Sequence, residues 1–265
     1  MSLATTLKHL SLQVLPEGIL HQLRKAHYAR KLRHARPEPE MDVIRHLLPV
    51  GGCAIDLGAN FGLYTRFLAE TVGPGGQVHA VEPVPPTFDV LRENVRRLRL
   101  TAVTVHNLAV SDGSRDVTMT VPVYARGGEN YYEARILDED GPTDGRMVQV
   151  PAHALDDLFG RLGRIDFVKC DVEGHELNVV RGATEILRIH RPAWLIEVSG
   201  DPDDADSSAA DVVRLMALAG YRVFHLDGEL PRPRVAGDSA VNYFFLRPEH
   251  RRRLDAALRS GPAGA

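Results

Sequence analysis

From residue 41 onward, short runs of Val, Ile, Leu and Ala alternate with longer stretches of helical period, the pattern of a mostly parallel sheet covered on both faces. CAIDLG at 53–58 predicts a first strand, and FGLYTRFLAETV at 61–72 the helix after it, which GPGG at 73–76 ends. QVHAVEP (77–83) reads as strand two, 86–100 as a helix, and VTVHNLAV (103–110) as strand three. Two alternating runs, 116–124 and 146–155, flank a loop rich in Gly, Asp and Glu and predict an inserted β-hairpin. Strand four follows at 165–174, a helix at 175–190, strand five at 193–199, a helix at 207–220, and strands six and seven at 221–227 and 241–248. No helical pattern joins the last two, so they are expected to pair antiparallel.

Ahead of this alternation, residues 1–36 carry helical spacing until RPEPE at 36–40 interrupts it with two prolines. The expected organisation is an N-terminal helical appendage (1–40), a lid or subunit contact, and one α/β domain (41–265) with its insert around 116–155. Residues 21–36 hold six Lys or Arg and no acid, which suits either a helix touching a membrane or anionic ligand or a solvated, subunit-contact helix. A homodimer through these helices is one expectation.

With 265 residues the chain is long enough to bury a full core. Its net charge of -3 offers no global basic field, which argues against nucleic acid as a partner. Cys53 and Cys170 lie in apolar runs, so they are expected to be buried thiols and not a disulfide. No segment approaches the roughly 18 apolar residues of a membrane span, and the start lacks a leader pattern, so stable membrane insertion is not expected and a cytoplasmic location is.

The chemistry begins at DLGANFG, between the first strand and its helix. A parallel sheet presents backbone amides and a helix N-terminus to a ligand at such a turn, and Gly58 and Gly62 would let the ligand approach the backbone. A dinucleotide fingerprint would read G-x-G-x-x-G, whereas this turn is spaced G-x-x-x-G. Glu82, ending the second strand, stands where a carboxylate accepts both hydroxyls of a ribose. Acids ending both strands suit a nucleoside with a cationic amino-acid tail.

At these residues the sequence resembles the FkbM family of S-adenosylmethionine-dependent methyltransferases. IDLGANFGLYT, VHAVEPVPPTFDVLRENV, LAVSDGS, and IDFVKCDVEGHELNVVRGA followed by RPAWLIEV carry the resemblance, which runs from about residue 41 to 199. It implies a Rossmann-like class I methyltransferase fold, a seven-stranded mostly parallel sheet with strand seven antiparallel between five and six. It also implies S-adenosylmethionine as cofactor and O-methylation of sugar or polyketide hydroxyls. Carried over by position, Asp56, Gly58, Asn60 and Gly62 would surround the methionine part, Glu82 the ribose, and Asn107, Leu108 and Ala109 the adenine. The sequence departs from the family pattern at 124–145 and in its N-terminal helices.

Ligands of open α/β sheets bind beyond the carboxyl ends of the strands, so Asp171, Glu173 and Glu197 should converge beside the cofactor turn. An acceptor hydroxyl must lose its proton, and a positioned His or carboxylate contributes about 10² to 10⁴-fold by taking it. His175, Asp171 and Glu173 in DVEGHE are the candidate bases, with His175 ahead because its reference pKa lies near neutrality. A second route is a divalent cation, Mg2+, held by Asp171, Glu173 and Glu197. Asp171 is shared between cofactor and acceptor. Tyr131 and Tyr132 in the insert, with Glu197, are the candidate contacts to a small-molecule or oligosaccharide acceptor. The segment lacks the Asn/Asp-Pro-Pro-aromatic run of enzymes that methylate base nitrogens. A non-catalytic cofactor-binding protein on the same fold is the rival of a different class.

Overall fold

The apolar runs form strands whose side chains alternate between two buried faces, and those two faces decide which residues reach the site. The structure, a computed structural model, describes residues 17–121, 134–136, 145–228 and 230–260. Tyr124, Tyr131, Tyr132 and most of the 124–145 loop lie outside the described residues, as do residues 1–16.

The large sheet contains β1 (Cys53–Leu57), β2 (Gln77–Val81) and β3 (Val103–His106). Further along the chain come β8 (Phe167–Cys170), β9 (Ala193–Glu197), β10 (Arg222–Asp227), β11 (Leu230–Pro233) and β12 (Asn242–Leu246). Their order is β11-β10-β12-β9-β8-β1-β2-β3. β12 lies between β9 and β10 and runs antiparallel to both, in agreement with the reading of the last two strands. The sheet has eight strands and not seven, because LPRP between the last two expected strands pairs with β10 as an edge strand. Proline is tolerated at such an edge.

One face packs Ile55, Leu57, Val168, Cys170, Trp194 and Ile196 under α5 (Leu155–Phe159), α6 (Glu176–Arg181) and α7 (Ser208–Leu218). The other packs Ala54, Phe167, Ala193, Leu195 and Phe244 under α2 (Glu40–Leu47), α3 (Leu63–Val72) and α8 (Pro248–Ser260). Both cysteines are buried and free. The helices α1 (Glu17–Arg33) and α4 (Pro85–Arg97) pack on each other near the start of α3.

Two expected elements come out differently. The third strand stops at His106, and 109–111 leaves the large sheet as β4, which pairs parallel with β7 (Arg146–Ala154). β7 also pairs antiparallel with β5 (Arg115–Val121), which in turn pairs with β6 (Arg135–Ile136), so the expected hairpin belongs to a four-stranded sheet, β4-β7-β5-β6. The helix expected over 175–190 breaks at Gly182, where a Cβ would overlap the Ser111 carbonyl oxygen. A π-helical turn, Ile186–His190, follows, started by Asp156, whose carboxylate accepts the amides of Glu185 and Ile186 at 2.8 and 2.9 Å.

Candidate functional site

An open cleft lies beyond the carboxyl ends of β1, β2 and β8. Gly58, Asn60, Glu82, Leu108, Ala109, Asp171, Glu173 and His175 all line it. Its opposite wall is apolar and comes from the small sheet: Met119, Ala134 and Ile136.

The turn after β1 is shaped by left-handed residues, Gly58 (φ +72), Asn60 (φ +51) and Gly62 (φ +98). The chain's own packing requires both glycines. A Cβ on Gly58 would overlap the Asp171 carbonyl oxygen, and one on Gly62 would press on Leu91 at 2.9 Å. Gly58 thus lets the loop after β8 close onto the turn after β1, which brings Asp171 to the cleft.

Glu82 is buried, and each carboxylate oxygen accepts one backbone amide: Oε2 from Asn60 at 3.0 Å and Oε1 from Val84 at 2.9 Å. Each oxygen keeps lone-pair capacity toward the cleft, as two ribose hydroxyls require. Burial raises its pKa to about 7 despite those two hydrogen bonds. Asp56, likewise buried, is raised to about 6, with Thr65 Oγ1 donating to it at 2.5 Å. Asn107 does not line the cleft; its Nδ2 donates to the carbonyls of Glu82 and Pro83 and fixes the loop after β2, while Leu108 and Ala109 form the wall. Carboxylates at one end and Val84, Leu108, Met119 and Ile136 at the other fit a ligand with a cationic tail, a ribose and a flat apolar base.

Beyond β8, Glu173 (φ +53) and Gly174 (φ +96) form a tight turn, held by Glu176, whose Oε1 accepts the Gly174 amide at 2.9 Å. His175 is buried against the cleft wall at 8% exposure, with Nε2 2.9 Å from Ser111 Oγ and Asn178 Nδ2 3.2 Å from both ring nitrogens. Ser111 is anchored in turn by Arg115 Nη2 at 3.0 Å and by Asp112 at 3.1 Å. Glu197 stands apart from the cleft lining, on the face of the sheet under α2 and α3, because the period-two alternation of β9 places it with Leu195 and not with Ile196.

The expected metal trio does not assemble either. Among the described residues no three His, Cys, Asp or Glu side chains are placed to hold a metal ion. Asp171 Oδ2 instead meets the ammonium of Lys169 at 3.3 Å. Lys169 is a site residue that sequence reasoning missed, although a lysine inside the apolar run IDFVKC was the available signal. Thr65, Ser111 and Glu176 were also missed, and carried no signal beyond being polar.

Residues 56–223 match the model of the Methyltransferase FkbM domain, a span that begins at Asp56 and contains every cleft residue. The chain is 31% identical over 154 residues to the hexuronic acid methyltransferase AglP of Haloferax volcanii, covering 56% of this chain and 58% of that one. It is 27% identical over 256 residues to the AMB antimetabolite synthetase AmbE of Pseudomonas aeruginosa, covering 83% of this chain and 12% of the synthetase. The chain thus spans well under two thirds of the length of either relative. In fold it is similar to the crystal structure of Methyltransferase FkbM from Methylobacillus flagellatus, with TM-score 0.51 and 17% identity over 80% of this chain and 48% of that one. The chain belongs to the FkbM family of S-adenosylmethionine-dependent methyltransferases.

Proposed function

We propose that the protein methylates a hydroxyl oxygen of a carbohydrate, a sugar or oligosaccharide. The observation that carries this reading is the meeting of Asp171, Glu173 and His175 at the end of the cleft, one loop away from the turn after β1. When bound, S-adenosylmethionine supplies an electrophilic methyl group on a sulfonium. Transfer to oxygen then asks two things of the chain: in-line placement of the acceptor and removal of its proton. The similarity to a hexuronic acid methyltransferase supports a sugar as the source of that oxygen.

Of the three candidate bases, His175 suits the task best. Asp171 is committed to Lys169, and Glu173 is exposed on the turn. Ser111 Oγ at 2.9 Å and Asn178 Nδ2 at 3.2 Å hold the His175 ring in place at the cleft wall. The acceptor proton passes to the imidazole as the oxygen takes the methyl group. The helix α1 packs on the turn after β1, with Tyr28 stacked on Phe61 at 5.4 Å and Lys31 Nζ 4.9 Å from the same ring.

A second reading, a hydroxyl of a polyketide or other secondary metabolite, is favoured by the similarity to a segment of the antimetabolite synthetase. A panel of mono- and oligosaccharides and small alcohols with methyl-labelled cofactor separates the two: label on a sugar is expected, and label only on the alcohols favours the second. On the acceptor found, His175→Ala should lose about 10² to 10⁴-fold in turnover with cofactor affinity kept. Near-normal turnover in both His175→Ala and Asp171→Ala would remove the base assignment.

A further inference from the structure

The helix α1 is fastened to the rest of the chain by one side. Leu32 is buried in a cluster with Phe61 and Val90, and Tyr28 stacks on the same Phe61. His21 Nε2 lies 3.6 Å from Asp89 of α4, and the Leu32 carbonyl accepts Arg66 Nη1 of α3 at 3.0 Å. The other side carries a row at spacings of three and four: Ile19, Leu23, His27 and Arg30, continued by His34 in the turn that ends the helix. Every member of the row is exposed, Ile19 by 48% and Leu23 by 51%. Lys31 and Arg33 flank it and are exposed as well.

Residues 21–36 hold six Lys or Arg and no acid, while the whole chain carries -3, so positive charge is gathered on one helix of an otherwise acidic protein. Among the described residues no carboxylate pairs with Arg30 or with Arg33, whose Nε turns to the Ala29 carbonyl of its own helix at 3.5 Å. His27, Arg30, Lys31 and His34 together line an open groove. Exposed cations along a helix of 17 residues, about 25 Å, make a surface for an extended anion. The aliphatic pair on the same row identifies which kind. A soluble polyanion has no place for Ile19 and Leu23, whereas a bilayer takes such side chains in below its headgroups while the headgroups meet the cations. Residues 1–16, outside the described residues, continue this composition, with Leu at 3, 7, 10, 12 and 15 and no acid.

We infer that the outer side of α1 is a docking surface for an anionic lipid bilayer, on which the helix lies in the plane of the headgroups. No helix among the described residues is long and apolar enough to cross a membrane, so this contact is peripheral and reversible. The docked side is one helix diameter, about 10 Å, from Phe61, the chain neighbour of the cleft residue Asn60.

The inference is independent of the acceptor, and sedimentation of the full chain with vesicles tests it. Vesicles of equal parts phosphatidylcholine and phosphatidylglycerol should carry the protein down, and vesicles of phosphatidylcholine alone should not. Raising the salt from about 0.1 to 1 M, which shortens the screening length from about 10 to 3 Å, should release it. The double substitution Arg30→Gln and Arg33→Gln should weaken association about tenfold or more. Leu23→Ser, which keeps every charge, should weaken it several-fold. Both variants change exposed side chains only, so melting temperature and binding of S-adenosylmethionine should stay at wild-type values. Equal binding to the two kinds of vesicle, or binding that survives the loss of both arginines, would overturn the assignment. Binding to heparin that those substitutions weaken, with anionic vesicles ignored, would overturn it in favour of a soluble polyanion. A dimer in light scattering that the same substitutions dissociate, without vesicle binding, would make this side of α1 a subunit contact instead.

Discussion

The large sheet brings Glu82 and Asp171 to the cleft from the carboxyl ends of β2 and β8, with Asp56 buried in β1 between them, whereas the small sheet brings Met119, Ala134 and Ile136. Each acid is held by specific partners: Thr65 for Asp56, two backbone amides for Glu82, Lys169 for Asp171. The apolar wall has no such requirements. A buried carboxylate displaced from its donors costs several kcal/mol, while an aliphatic side chain exchanged for another of similar size costs about 1.5 kcal/mol or less. The positions of the acids are therefore over-determined, whereas the wall from the small sheet tolerates exchange of its aliphatic side chains.

The contrast is broken most severely by Gly58→Ala. A methyl group there needs φ +72 and overlaps the Asp171 carbonyl oxygen, so β1 and β8 could no longer close together at the cleft. A stability loss of about 3 kcal/mol or more and no measurable cofactor binding are expected, checked by thermal melting and calorimetry. Unchanged binding would show that the two loops need not touch.

Glu82→Gln should cost about 10 to 100-fold in affinity for S-adenosylmethionine, because an amide turns a donor toward one of the two backbone amides and loses the charge. It also tests the pH dependence. Burial raises Glu82 to about 7 and Asp56 to about 6, so without ligand the folded state keeps protons that the unfolded chain has released above about 4.5. Their contribution to stability is complete below that pH and is lost as pH rises through 7. The unliganded melting temperature should fall from pH 5 to 8 on this account. A cationic ligand favours the ionised acids, so binding should strengthen over the same window and release protons, measurable in buffers of different ionisation heat. In Glu82→Gln the upper part of that dependence should disappear; persistence at full size would place it on other groups.

The smallest effect is expected at the apolar wall. Ile136→Ala removes aliphatic surface from the partly buried side of β6, and cofactor affinity should change by less than about tenfold, with no change in its pH profile. A larger loss, or a shifted profile, would mean that the apolar wall is as demanding of its side chains as the acids are of their partners.

The sequence alone determined the features that depend on near neighbours. Alternation marked the strands, DLGANFG marked a turn that needs left-handed residues, and the absence of a helix between 227 and 241 implied the antiparallel β12. The segments 53–62, 82 and 171–175 were legible as a site because an acid or glycine at a strand's carboxyl end is unusual in itself. Tertiary structure alone decided that 109–111 joins the small sheet, that Gly182 breaks a helix to admit the Ser111 carbonyl, and that Glu197 turns away from the cleft. It alone placed Lys169 opposite Asp56, a partner 113 residues distant whose identity depends on the register of β8 against β1. Periodicity encodes the face that a residue occupies, but register and loop closure are settled by packing between distant strands, and the charges that meet at this site are set by those contacts.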